Sequence, residues 1–519
     1  MKKINIEEAI HLVKDGDTIA VSGFLLATTP SEILRALGKR FEAEKAPKGI
    51  TILQAAGTGN NKDEGIYDIS HPGMVKRYIT GHFANNQRLI EQTNKNEVES
   101  YNFPQGVISK MYRNIAAGFM GEISKVGLRT FCDPRLDGGK LNEKAQEDLV
   151  ERIELGGEEY LYYKAPKIDV ALIRGTTADE NGNITFEEES AVVDAKEIAM
   201  AAKASGGIVI VQVKYYVDSK SIDRQDVVIP GIFVDHVVVS ETPQETHRQT
   251  PASFYDPAIA GHRRVHMAAE KSYPLDERKA IARRAAMELR LGDVVNLGIG
   301  IPEIVGIVAN EEGVGDDIIL TLEGGLIGGI PLGGANFGSA VNAMAALPMN
   351  AQFDFYNGGG LDAAFLGFAE VNERGDINVS RFGERIAGCG GFIDISQSTP
   401  RVFFCGTMTA GGLKERIENG KLIIEQEGKR KKFLSQLDQI TYSAEYGLET
   451  GQEVVFITDR CVMKPSEKGL VITEVAPGID IRKDIVEQME FAPIIAEDVK
   501  EMDLRIFEEE PIGLKEMMK

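Results

Sequence analysis

Glu7-Glu8-Ala9-Ile10-His11-Leu12-Val13-Lys14-Asp15-Gly16-Asp17-Thr18-Ile19-Ala20-Val21-Ser22-Gly23-Phe24 and Arg283-Arg284-Ala285-Ala286-Met287-Glu288-Leu289-Arg290-Leu291-Gly292-Asp293-Val294-Val295-Asn296-Leu297-Gly298-Ile299-Gly300-Ile301-Pro302 follow one plan. Each has a helix-period segment, a Gly-Asp turn, and a strand that runs into small residues. A second echo pairs Gly175-Thr176-Thr177-Ala178-Asp179-Glu180-Asn181-Gly182-Asn183-Ile184-Thr185 with Gly367-Phe368-Ala369-Glu370-Val371-Asn372-Glu373-Arg374-Gly375-Asp376-Ile377-Asn378, and both read as strand, turn, strand. The chain is therefore expected to hold two domains of similar design, 1–240 and 275–519, joined by the polar stretch 241–274. The first carries extra material, because Asp17 precedes Gly182 by 165 positions and Asp293 precedes Gly375 by only 82. Alternating strands and helices predict an α/β fold of mostly parallel sheets flanked by helices. Ligands would bind at the strands' carboxyl ends, in a cleft between the two halves.

Composition narrows the function. A chain of 519 residues with 43% apolar content can bury ordinary cores. Its formal net charge of -21 argues against nucleic-acid or acidic-membrane partners, whose surfaces recruit Lys and Arg. Met1-Lys2-Lys3-Ile4-Asn5-Ile6-Glu7-Glu8 lacks the apolar core of a signal peptide and no run approaches membrane-spanning length, so a cytoplasmic location is expected. Cys132, Cys389, Cys405 and Cys461 form no Cys-x-x-Cys pair and read as reduced core thiols.

Glu323 follows an apolar run and precedes a glycine cluster, in Thr321-Leu322-Glu323-Gly324-Gly325-Leu326-Ile327-Gly328-Gly329. An acid at the end of a core strand, facing a turn rich in backbone amides, is a candidate nucleophile. Further glycine clusters stand at Gly298-Ile299-Gly300, Gly333-Gly334, Gly358-Gly359-Gly360 and Gly388-Cys389-Gly390-Gly391. Singly each reads as a tight turn; together, beside an acid, they mark a site. A dinucleotide fingerprint fails at Gly298-Ile299-Gly300, where the third glycine is missing and Pro302 opens the next helix. There is no Gly-Lys-Ser/Thr P-loop and no Gly-x-Ser-x-Gly elbow. His262 and His266 read as solvated polar surface rather than a zinc site, Lys429-Arg430-Lys431-Lys432 reads as an exposed turn, and no metal is expected.

Five ordered motifs carry a resemblance: the Glu323 segment, Asn296–Pro302, Tyr101-Asn102-Phe103-Pro104-Gln105-Gly106, Phe353-Asp354-Phe355-Tyr356-Asn357-Gly358-Gly359-Gly360 and Ala387-Gly388-Cys389-Gly390-Gly391-Phe392-Ile393-Asp394. They resemble family I coenzyme A transferases, and most of all the single-chain propionate or acetate CoA-transferases, in which two subunit types are fused. The likeness covers nearly the whole chain, down to Asp459-Arg460-Cys461-Val462 and Ala476-Pro477-Gly478-Ile479-Asp480. It departs at the amino-terminal signature, where Ser22 and Thr28 stand in place of the family's glycines.

The resemblance implies ping-pong transfer of CoA from a short-chain acyl-CoA to a free carboxylate. Glu323 would attack the thioester, form an acyl-glutamyl anhydride, and become a glutamyl-CoA thioester. Gln105, Gly388 and Gly390 are implied to serve the chemistry, and Asn296, Gly298, Gly300 and Gly391 to contact CoA. A glutamate near its ordinary pKa of about 4.3 would be ionised and need no general base. No cofactor beyond CoA is implied, the substrates are small molecules, and a homodimer or homotetramer is expected. A thioester hydrolase on the same scaffold and a non-enzymatic ligand-binding protein are the alternative readings.

Overall fold

The structure, a computed structural model, describes residues 1–266 and 273–518. They form two compact units: residues 1–265, 322–354 and 381–394 make the first, and the described residues of 266–321, 355–380 and 395–518 the second. The break near residue 265 falls inside the expected joining stretch 241–274, of which residues 267–272 lie outside the described residues. The contiguous halves 1–240 and 275–519 do not describe these units, because two later segments are bonded into the first. The Met349 amide donates to the Val193 carbonyl at 2.7 Å, the Phe83 amide to Ala387 at 2.8 Å, and the Gln105 amide to Gly390 at 2.9 Å.

The first unit is built on eight strands: β1 Lys2–Ile4, β2 Thr18–Val21, β3 Ile50–Gln54, β4 Val75–Thr80, β5 Glu99–Asn102, β6 Val170–Arg174, β7 Ile208–Val213 and β8 His236–Val239. Their order is β1-β8-β7-β6-β2-β3-β4-β5, with every pairing parallel. All five residues of β6 are buried, as expected of a strand covered on both faces. The unit's helices include α1 Ile6–Ile10, α2 Ser31–Glu44, α3 Gln105–Ala116 and α4 Ala195–Ala204. Helix α2 turns Ile33, Leu34, Leu37 and Phe41, spaced to share one face, onto Ile19, Val21, Ile50 and Ile52 of the sheet. Each such fully buried side chain contributes about 1.5–3 kcal/mol. The extra material of this unit includes an antiparallel sheet of Gly121–Ser124, Val150–Leu155 and Glu158–Lys164.

The second unit repeats the scheme with α5 Glu277–Ala286, α6 Ile301–Glu311 and strands β9 Val294–Leu297, β10 Ile319–Thr321, β11 Ala363–Gly367, β12 Arg401–Cys405, β13 Glu453–Ile457, β14 Cys461–Ser466, β15 Gly469–Val475 and β16 Ile494–Glu501. Strands β10-β9-β11-β12-β13 run parallel, after which β14 and β15 pair antiparallel and β16 returns parallel to β15. Helices α5 and α6 pack Ala282, Ala285, Val305 and Val308 with Val295, Phe365, Phe403 and Val455. Among the described residues, no helix is long and apolar enough to cross a membrane.

The repeat read from the sequence is reproduced bond for bond. Gly16 and Gly292 take φ of +82° and +80°, which favours glycine. The Asp17 carboxylate accepts from the Lys14 amide at 2.7 Å, and that of Asp293 from Arg290 at 2.8 Å. The carbonyls of the same two aspartates accept from the amides of Thr51 at 2.9 Å and Ile319 at 2.8 Å, within the first two residues of the neighbouring strands. The second echo is likewise two antiparallel hairpins, Thr177–Asp179 with Ile184–Thr185 and Glu370–Val371 with Ile377–Asn378.

Candidate active site

Glu323 sits in a four-residue turn closed by the Gly325 amide donating to the Leu322 carbonyl at 3.0 Å. Gly325 has φ of +106°, and a Cβ there would lie 1.9 Å from the Leu347 carbonyl oxygen, so glycine is required for the turn to form. The glutamate is half-buried. Burial, and secondarily the charge of Asp394, push its carboxyl up to about 7. The expectation of an ordinary glutamate is corrected: this carboxyl keeps its proton to higher pH than a free one.

The residues that follow β4 and β5 hold the loop that abuts this group, Gly81 accepting from the Gly390 amide and the Gln105 amide donating to the Gly390 carbonyl. Strand β5 leads through Pro104 into α3, whose first residue is Gln105. Its side chain is buried, and Nε2 donates to the Met349 sulfur at 3.3 Å, a weak acceptor. The loop Gly388–Gly391 lies along the same strand ends. The Asn102 amide donates to the carbonyls of Thr80 and Gly81 at 2.7 and 2.8 Å, while its oxygen accepts from the Cys389 amide at 2.9 Å. A Cβ on Gly391 would stand 2.7 Å from the Glu323 carboxyl carbon, so this glycine lets the backbone lie against the acid.

The loop's amides divide into used and free. Gly390 donates to the Gly81 carbonyl at 2.7 Å, Cys389 to Asn102, and Phe392 to the Cys389 carbonyl at 3.0 Å. The Gly390 amide expected to serve the reaction is therefore engaged in holding the loop. Among the described residues, the amides of Gly388 and Gly391 have no such partner, and that of Gly391 belongs to the residue abutting Glu323.

Glu323, Gln105, Gly388, Gly390 and Gly391 thus all fall in the first unit. Asn296, Gly298 and Gly300 fall in the second, at the carboxyl end of β9. The Asn296 side chain is buried and donates to the Thr321 carbonyl at 3.1 Å and the Tyr356 hydroxyl at 3.4 Å, which fixes the strand leading to Glu323. The Gly300 amide donates to Glu303 at 3.1 Å and starts α6.

Sequence reasoning missed three residues that build the site: Asn102, Asp394 and His82. The first two lay inside quoted motifs; their roles depend on partners far away in the chain. Asp394 Oδ2 accepts from the Gly106 amide at 3.0 Å, supplying a helix start whose own cap is a proline. His82 follows β4, and burial alone pushes its imidazole down to about 4. Cys389 also meets Cys132: its thiol is pushed far up by burial and then by a hydrogen bond with Cys132.

Ser22 and Thr28, the departures from the family signature, are joined, Ser22 Oγ donating to the Thr28 carbonyl at 2.7 Å. Phe24 on that loop covers Gly338, where a Cβ would meet its ring at 2.6 Å. His262 is exposed and bonds Tyr255 at 3.0 Å. The basic stretch is only partly an exposed turn: Lys432 is buried 3.9 Å from the centre of the Phe368 ring, and burial pushes its amine down to about 8. No cluster of three or more His, Cys, Asp or Glu able to hold a metal occurs among the described residues.

Comparison with known proteins bears on this geometry. Residues 3–240 match the family described as coenzyme A transferase. The chain is 45% identical to the caffeate CoA-transferase of Acetobacterium woodii, covering 100% of this chain and 99% of that one. It is 43% identical to the acetate CoA-transferase YdiF of Escherichia coli strain K12, covering 98% and 96%. A crystal structure of the acyl-CoA transferase YdiF of Escherichia coli O157:H7, described as a thioester complex with CoA, superposes with a TM-score of 0.92 at 42% identity, covering 98% and 96%.

Proposed function

The chain belongs to the coenzyme A transferases, and from that premise we propose that it carries CoA between short-chain acids through a glutamyl-CoA thioester on Glu323. The observation that supports this most is the seating of the Glu323 carboxyl against Gly391, in a loop whose Gly390 carbonyl accepts from the Gln105 backbone amide. A relative named for acetate and a solved relative described as a CoA thioester agree with that reading.

In the first half-reaction ionised Glu323 attacks the acyl-CoA carbonyl, the C–S bond breaks, and an acyl-glutamyl anhydride and CoA thiolate result. The thiolate then attacks the glutamyl carbonyl, forming the thioester and releasing the carboxylate. The second half-reaction reverses these steps with a new acid. Each step passes through an oxyanion. Gln105 Nε2, held elsewhere only by a thioether, and the unengaged Gly391 amide are the donors we assign to it. Asn296 and the Gly298–Gly300 turn are assigned to the CoA-binding edge of the second unit. Binding of the large CoA moiety away from the reacting carbonyl contributes to turnover as well as affinity.

The test is to mix the protein with acetyl-CoA or propionyl-CoA, reduce with borohydride, and locate the modified residue by peptide mass spectrometry. Reduction at Glu323, absent from Glu323→Ala, is expected together with inactivation. An unmodified protein that still transfers CoA would overturn the covalent route.

A further inference from the structure

The acceptor in this reaction is an anion, and it must approach an acid that already lies in the field of Asp394. No cation contributes to the electrostatics of Glu323 among the described residues. Neutral hydrogen-bond donors beside Glu323 are suited to hold the incoming carboxylate.

His82 is placed for that work. It follows β4, whose neighbours β3 and β5 lead to Gly57 and Gln105, so the three residues occupy adjacent strand ends on one edge of the sheet. Gly57 makes room for the ring, because a Cβ there would stand 2.8 Å from His82 Cδ2. On the other side, a Cβ on Gly390 would lie 4.0 Å from His82 Nδ1 and 3.9 Å from Gln105 Oε1, so both polar atoms face the same side of the loop whose next residue abuts Glu323. His82 keeps partial exposure, and neither ring nitrogen has a hydrogen-bond partner among the described residues. A polar ring flanked by two glycines, partly exposed and bonded to no protein group, is accessible to a ligand.

We propose that His82 is a substrate-contacting residue whose imidazole N–H donates a hydrogen bond to the carboxylate of the acyl acceptor as it attacks the Glu323 thioester. This rests on the glutamyl-CoA reading above. No proton is transferred: the carboxylate oxygen bonds to the glutamyl carbonyl carbon, the C–S bond breaks, and the charge leaves with the thiolate. A neutral ring suits the role, since it can donate without forming an ion pair with Glu323 and silencing the nucleophile. The low basicity that burial imposes also makes it a poor activator of water.

Steady-state kinetics of wild type, His82→Ala, His82→Asn and His82→Gln test this, with the adduct on Glu323 followed by mass spectrometry and folding by circular dichroism. A hydrogen bond to a charged partner is worth about 10- to 100-fold in affinity. In His82→Ala, KM for acetate or propionate as acceptor is expected to rise by that factor. Product inhibition by the same acid should weaken equally, because the same oxygens leave in one half-reaction and return in the other. KM for acyl-CoA should change less than about twofold, and Asn or Gln, which retain an N–H, should recover most of the loss. An unchanged acceptor KM in a folded His82→Ala, or a uniform loss that neither amide recovers, overturns the assignment while leaving the Glu323 route standing. Absence of any Glu323 adduct in the wild type overturns that route, and this assignment with it.

Discussion

Asp394 accepts a hydrogen bond from the Gly106 amide at 3.0 Å, capping the helix that begins with Gln105, and the same charge raises the carboxyl of Glu323. One buried aspartate thus holds the proposed oxyanion donor in place and holds back ionisation of the proposed nucleophile. A Cβ on Gly106 would lie 2.3 Å from Asp394 Oδ1, so the fit between cap and helix is close.

Asp394→Asn separates the two roles, since an amide oxygen still caps Gly106 but the charge is gone. Glu323 should then ionise at lower pH. The midpoint of the pH profile for Glu323 acylation, near 7 in the wild type, is expected to move down by part of the total shift, because burial is the larger cause. Single-turnover rates between pH 5 and 9 measure it, and an unmoved midpoint would exclude the coupling.

Ionising Glu323 also opposes folding. Its carboxyl rises from 4.5 to about 7 in the folded state, so between those values the folded chain retains a proton that the unfolded chain has lost. Stability from this group is complete below about pH 4.5 and is lost as pH climbs toward 7. Glu323→Gln should be more stable than wild type above pH 7, by up to about 3 kcal/mol, and no more stable below pH 4.5. Denaturant titrations at the two pH values read the difference.

Gly391→Ala places a methyl group 2.7 Å from the Glu323 carboxyl carbon. The acid or the loop must shift, and a loss of about 100-fold or more in glutamyl-CoA formation is expected with near-normal folding. Wild-type acylation in this variant would show that the loop yields freely.

Gln105→Ala removes one oxyanion donor and should lower kcat about 10²–10³-fold, with little change in KM for acyl-CoA. Gln105→Glu, which lacks the donor and adds a charge, should be no better. Rates within tenfold of wild type would remove Gln105 from the chemistry.

The α/β class, the internal repeat and its Gly-Asp turns were legible because they depend on short-range periodicity and on turn chemistry within a few residues. Glu323 stood out for a similar reason, since an acid among glycines is anomalous in a core, whereas a role for Gly391 entered only through the family resemblance and as a CoA contact. The engagement of the Gly390 amide was not legible, because its partner Gly81 is set by how a distant loop lies on a strand end. Nor could spacing reveal that Asp394 faces both Gly106 and Glu323, and so the sequence left Glu323 with an ordinary pKa. Lys432 looked like one of four exposed cations until Phe368 covered it.

The first unit is completed by residues 322–354 and 381–394. During synthesis the ribosome must therefore read 126 residues beyond residue 265 before the loop Gly388–Gly391 over the ends of β4 and β5 is complete. At ordinary elongation rates that interval is on the order of ten seconds. The nascent sheet spends it with those strand ends uncovered, and closure must await contacts remote in sequence, such as Gly81 with Gly390.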